Sequence, residues 1–155
     1  MAPPVLRQIG QVDSDLLAAL HQRCFTATWD RPWSAKSFTE ILAMPGASGQ
    51  IVSMGDEPLG FGMTLQAAND VEILLLAVLP KARGQGLGRV LLDRLLSAAT
   101  AQGAARALLE VAENNRAAIS CYMKAGFTAC GRRQQYYPGP IDAVLFEKTL
   151  NSLII

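Results

Sequence analysis

The run Arg83–Gly88 (RGQGLG) places three glycines within five residues, directly ahead of an apolar-periodic segment. Glycine permits turns in which successive N–H groups converge, and a helix start adds the positive end of its dipole. Together these predict an anion site, and so a phosphate-bearing ligand, at the turn before a helix over Leu87–Ala101. The competing explanation is a tight strand-to-helix connection with no ligand. Spacing narrows the ligand. A dinucleotide pattern G-x-G-x-x-G counted from Gly84 needs its third glycine where Arg89 stands, and a P-loop needs Gly-Lys before Ser or Thr, a triplet the chain lacks. What remains is Arg-x-x-Gly-x-Gly, with Arg83, Gly86 and Gly88 at the fixed positions.

The turn lies inside Glu72–Phe127, which reads strand, glycine turn, helix, strand, helix. Val71–Leu79 is apolar on both faces, as a central strand covered on both sides would be. In Leu87–Ala101, Leu87, Leu91 and Leu95 recur at i+4 while Arg89, Asp93 and Ser97 take the other side, and Gly103 stops the helix. Ala107–Ala112 is a second buried strand, and a crossover through so long a helix makes the two strands parallel. Asn114 or Asn115 caps a helix over Arg116–Ala125, closed by Gly126. Upstream, Val5–Ile9 forms a strand, Asp13 or Ser14 caps a helix over Leu16–Phe25, and Ser34 caps another over Ala35–Met44. His21 reads as a packing or surface residue of the first helix. Between the helices, Trp29 and Trp33 either border a substrate groove as a lid or seal the core edge. Gln50–Met54 and Leu59–Gln66 form a hairpin, and Phe127–Tyr137 and Ile141–Lys148 a last pair joined by Pro138-Gly139-Pro140. The order is α+β around one sheet with a single parallel crossover.

Composition bounds the partners. The chain has 155 residues, half of them apolar, and a formal charge of +1, which suits one domain with a full core and argues against nucleic acid as a partner. Residues 1–150 are expected to form that domain and 151–155 a C-terminal tail. The start MAPPVLRQIG does not read as a signal peptide, and the longest apolar run, Ile73–Leu79, is far too short to span a bilayer. Cys24, Cys121 and Cys130 are scattered, with a single histidine in the chain, so no metal is expected and a reducing cytoplasm is. The cysteines read as small core-filling residues.

The Arg83–Gly88 loop and the element order resemble the GNAT acetyltransferases along almost the whole chain. More narrowly, LLEVAENNRAAISCYMKAGF with GRRQQYYP and IDAVLFEK is similar to the bacterial ribosomal-protein-alanine N-acetyltransferases. The matching positions are Glu110, Val111, Asn115, Ala117, Ala118, Ile119, Tyr122, Gly126 and Phe127. The resemblance implies a mixed central sheet of about seven strands with helices on both faces. It implies acetyl-CoA as co-substrate, its diphosphate on the N–H groups of Gly84, Gln85, Gly86, Leu87, Gly88 and Arg89, with Arg83 opening the motif. Its amide arm would lie along the backbone of Leu76, Ala77 and Val78 like an added strand.

Moving an acetyl group from thioester to amine needs a neutral amine, a stabilised oxyanion and a protonated leaving thiol. By position in the motif Glu110 is the base, and a carboxylate inside LLEVA is costly unless paired or functional. Partial burial would raise its pKa toward the working range. Glu72, entering the preceding strand, is the competitor. Tyr122 is the candidate acid, two helical turns from Asn115, which suits Asn115 for the pantetheine arm. The alternative is that Tyr122 is a core aromatic spaced with Ile119. Tyr136 and Tyr137 resemble the paired tyrosines that border the peptide groove, and Trp33 is a further candidate on the substrate side. The connection after Tyr137 is shorter than is typical of that group. The expected substrate is the N-terminal amine of a protein, an alanine-starting ribosomal protein of the small subunit. The alternatives are a GNAT enzyme for a small amine and an acyl-CoA-binding module without catalysis.

Overall fold

A computed structural model describes residues 3–27, 30, 31 and 33–150. Trp29, as a groove-bordering residue, and the 151–155 tail lie outside the described residues. The chain runs β1 (Val5–Gln8), α1 (Ser14–Cys24), α2 (Ala35–Leu42), β2 (Ala47–Met54), β3 (Glu57–Ala67), β4 (Asp70–Val78), α3 (Leu87–Ala101), β5 (Arg106–Ala112), α4 (Arg116–Lys124), β6 (Thr128–Tyr137) and β7 (Ile141–Thr149). Single 3₁₀ turns at Gln11–Asp13 and Pro80–Ala82 precede α1 and α3.

The strands form one seven-stranded sheet in the order β1-β2-β3-β4-β5-β7-β6. Every neighbouring pair is antiparallel except β4 and β5, the crossover the helical spacing demanded. That parallel pairing runs only from Asp70–Arg106 to Ile73–Leu109. At the same level β4 shifts register against β3, leaving Leu74 as an extra residue between Ile73 and Leu75. Such a bulge bends and twists its strand. Beyond it β4 stays with β3 while β5 follows β7, so the middle of the sheet parts. No sequence pattern announces the bulge, because Leu74 continues an unbroken apolar run.

Two apolar clusters hold the fold. One joins Leu17, Leu20 and Phe38 of α1 and α2 to Ile51, Val52, Phe61 and Met63, and the other joins Leu92, Leu96 and Ala99 to Val71, Ile73, Leu109 and Phe146. Helix α3 serves both, because Leu87 and Leu91 pack into the first cluster. Burying each such leucine is worth roughly 1.5–3 kcal/mol.

Some local expectations change. Asp13 stands at the start of α1, but its carboxylate accepts from Arg7 at 2.8 and 3.0 Å and from the Gly10 N–H at 2.8 Å, so it pins β1 rather than capping α1. Ser34 does cap α2, accepting from the Ser37 N–H at 3.1 Å. Pro58 falls inside β3, at a register shift where the ladder is already interrupted. Cys130 is exposed on β6 and is not a core filler, while Cys24 and Cys121 are half-buried. Among the described residues no helix is long and apolar enough to cross a membrane, and no cluster of metal-binding side chains occurs.

Candidate active site

The parting of β4 and β5 opens a cleft of about 280 Å³ lined by Glu72, Leu76, Glu110, Asn115, Tyr122, Tyr136, Tyr137 and Trp33. Residues from five elements and the α1–α2 connection, far apart in sequence, meet there. Register explains the two carboxylates. Glu72 pairs with Leu108, and Glu110 lies two residues further along β5, so both project from the same face of the sheet.

The carboxylates differ in setting. Glu110 keeps 20% of its side chain exposed and has the Arg133 guanidinium 3.0 Å from its Oε1. A paired carboxylate on an apolar strand is thereby accounted for electrostatically as well as by any chemical role. Glu72 is exposed at the cleft mouth. Desolvation by the cleft walls, then the neighbouring Glu110 charge, push its pKa up, and Arg133 pulls it back.

Tyr122 is 7% exposed and meets Phe127 edge-to-face at 5.7 Å. It is a core aromatic and a cleft residue at once, so the two readings of its helical spacing do not compete. Burial raises its pKa well above the ordinary phenol value, with the Cys121 and Tyr137 charges adding to the rise. Tyr137 is pushed up to about 12, first by burial and then by Glu110 and Tyr136. Asn115 starts α4, its Oδ1 accepting from the Ala118 N–H at 3.2 Å, so its amide nitrogen is the part left for the cleft.

The far wall is made by β6. Its pairing with β7 is interrupted between Arg133 and Tyr137, and Gln135 adopts a left-handed backbone with φ 51°. Asp142 holds this irregular stretch, one oxygen accepting from the Gln135 N–H and the other from Arg132, both at 2.9 Å. Arg132 also donates to Glu113 at 2.6 Å. The Tyr136 ring lies 4.7 Å from the Arg31 guanidinium and 5.3 Å from that of Arg133, and Arg31 donates to the Tyr136 carbonyl at 2.6 Å. Trp33 packs on Phe38 at 5.1 Å and still lines the cleft, so sealing the core and bordering the groove are one role.

The glycine turn is built differently. Gly84 and Gly86 have φ of 81° and 83°, values that side chains other than glycine rarely adopt. A Cβ at either would meet no protein atom within 4 Å, so backbone conformation rather than packing demands glycine. Among the described residues none of the N–H groups from Gly84 to Arg89 donates to a protein acceptor, and no side chain caps α3. Unsatisfied donors at an uncapped helix start form a ready anion site. Arg83 opens the turn. Its guanidinium donates to the Val78 carbonyl at 2.9 Å and the Cys24 carbonyl at 3.2 Å, bracing the turn against β4 and α1. The Val78 carbonyl accepts this bond on the stretch of β4 that β5 no longer pairs. Arg89 pairs with Asp93 at 2.9 Å, which leaves its backbone N–H as the group facing the turn.

Sequence reading missed three residues that line the cleft and one that reaches its carboxylate from beside it. His21 is buried at 3% exposure and stacks on Phe25 at 4.4 Å, with burial lowering its pKa, and it lines the cleft. His21 was read as a packing or surface residue, and it packs, but its place at the cleft was not foreseen; Asp30, Arg31 and Arg133 were unremarked. Only Arg133 carried a signal, lying three residues before Tyr136 in the same motif.

Residues 15–127 match the acetyltransferase (GNAT) family. A ribosomal protein bS18-alanine N-acetyltransferase of Escherichia coli K12 is 34% identical over 137 residues, covering 85% of this chain and 89% of that protein. The crystal structure of the ribosomal-protein-S18-alanine N-acetyltransferase from Escherichia coli superposes with a TM-score of 0.87 at 26% identity, over 96% of this chain and 95% of that one. A putative acetyltransferase of Salmonella typhimurium, solved with its cofactor acetyl-CoA, shares the fold at a TM-score of 0.81 and 20% identity, over 99% and 98% of the two chains. With its parted mixed sheet and donor-rich turn ahead of α3, the chain belongs to the GNAT family of acetyl-CoA-dependent N-acetyltransferases.

Proposed function

We propose that this enzyme acetylates the N-terminal α-amine of a protein in the cytoplasm, specifically an alanine-starting ribosomal protein of the small subunit. The observation that carries the reading is the meeting of Glu110 and Tyr122 in one cleft walled by Tyr136, Tyr137 and Trp33. The similarity to alanine N-acetyltransferases supports the choice of amine.

The turn fits acetyl-CoA. The N–H groups of Gly84–Arg89 would hold its diphosphate, and the backbone of Leu76, Ala77 and Val78 its amide arm. Bound there, it supplies a thioester acetyl group. The chain's own residues do the rest. Glu110, the deeper carboxylate, takes the proton of the attacking amine, directly or through a water shared with Glu72. A protein α-amine has a pKa of about 7.7–8.0, so a modest base suffices. The new C–N bond forms as the C–S bond breaks. Tyr122 stays protonated at every working pH because burial raises its pKa, so it is always available to donate to the departing sulfur.

The test is incubation with acetyl-CoA and peptides beginning with alanine, the acetyl group being located by fragment mass spectrometry. Acetyl on the α-nitrogen is the expected result. Turnover on small amines with none on peptides would replace this reading with a small-molecule one. Ribosomal proteins from cells lacking the chain should lose acetyl groups from specific N-termini.

A further inference from the structure

Glu72 and Glu110 project from one face of the parted sheet, and two carboxylates alone would make an ammonium trap. An amine held as ammonium has no free electron pair and does not react. The geometry points to Arg133 as the residue that prevents this: its guanidinium sets the charge balance of the cleft, so that it draws in an amine but lets it go neutral, selecting weakly basic α-amines over strongly basic ones. This inference rests on the acetyl-transfer reading above.

Three observations carry it. The Arg133 Nη2 is 3.0 Å from Glu110 Oε1, and its guanidinium carbon is 5.3 Å from the centre of the Tyr136 ring. An aromatic face and a carboxylate together fix a guanidinium well. The side chain is nonetheless 55% exposed and comes from an edge strand, so it can give way to an arriving substrate without disturbing the core. Its charge reaches Glu72 as well, opposing the rise that desolvation and Glu110 produce.

The other groups around the carboxylates do not supply this balance. Asp30 and Arg31, from the α1–α2 connection, are of opposite sign and offset each other. His21 on α1 is held neutral by burial, and Tyr122 and Tyr137 stay protonated. Arg133 is thus the cation that leaves one net negative charge on the carboxylate pair. A protein α-amine, with a pKa of about 7.7–8.0, needs little help to become neutral there, whereas a lysine side chain at about 10.4 remains an ammonium ion.

The test compares wild type with Arg133→Gln and Arg133→Lys. In the free enzyme, carboxylate NMR should place the Glu72 titration midpoint about half to one pH unit higher in Arg133→Gln, because removing a cation favours the protonated acid. In kinetics, the acid limb of kcat should move up by a similar amount. The peptide KM should fall about threefold, and a lysine peptide with a blocked N-terminus should become a better competitive inhibitor. Arg133→Lys should return most of each change. A rise in KM, or a loss of kcat equal at all pH values, would overturn the proposal by making Arg133 a mere brace for Glu110. If the wild type acetylates no amine, the transfer reading fails by itself, and the NMR arm still decides whether Arg133 balances the carboxylates.

Discussion

The turn ahead of α3 and the wall formed by β6 and β7 serve one proposed reaction but are made of different material. The turn is backbone: two left-handed glycines and a series of N–H groups without acceptors, with Arg83 bracing it from behind. The wall is side chains: Tyr136, Tyr137 and Arg133, aimed by an interrupted strand that Asp142 holds in shape, with Arg31 of the α1–α2 connection laid against Tyr136. A backbone site tolerates almost any change of side chain except at its glycines. A side-chain wall can change its substrate by single substitutions while the fold stays. The difference separates a fixed co-substrate from an adjustable acceptor.

Substitutions can break that division. Tyr122→Phe should have the largest effect, lowering kcat about 10²-fold or more while the affinity for acetyl-CoA stays nearly unchanged. Calorimetric binding beside turnover checks both, and unchanged turnover would remove Tyr122 from the chemistry. Glu110→Gln should lower kcat by a similar order and alter the pH–rate profile. If Glu72→Gln does this and Glu110→Gln does not, the base is Glu72.

Next comes Gly86→Ala. A left-handed alanine costs about 1–2 kcal/mol, so the KM for acetyl-CoA should rise roughly tenfold while the peptide KM holds. Tyr136→Ala should do the reverse, raising the peptide KM several-fold and leaving acetyl-CoA alone. If both substitutions moved both constants equally, the two regions would not be separate.

The smallest effect should come from acid. The Gln135 N–H, then Arg132, hold the Asp142 carboxyl below the ordinary carboxylate range. A depressed pKa stabilises the fold above the unfolded value and ceases to do so as pH falls through the lowered one. The wall should therefore loosen only below about pH 4, seen as altered tyrosine fluorescence ahead of global unfolding.

How much of this was legible in the sequence follows the same division. The glycine turn could be read from Arg83–Gly88 because a left-handed backbone leaves a mark in residue type. The parallel crossover could be read because helix length forbids a hairpin. Glu110 and Tyr122 were found through a motif on adjacent elements. The bulge at Leu74 was hidden, since an extra leucine in an apolar run alters no pattern. So were the links from Arg31 to Tyr136 and from Arg133 to Glu110, which join residues far apart along the chain and depend on where strands end. The motif marked Arg83, but only packing showed that its guanidinium donates to carbonyls of β4 and α1.

The separation of β4 from β5 after Ile73 has a further consequence. A row of amides along one rim of β4 is open to isotope exchange with solvent, and an arm lying against Leu76, Ala77 and Val78 would slow it. Deuterium uptake there would act as a loading gauge, registering which acyl carriers dock even when no acceptor is present and nothing is turned over.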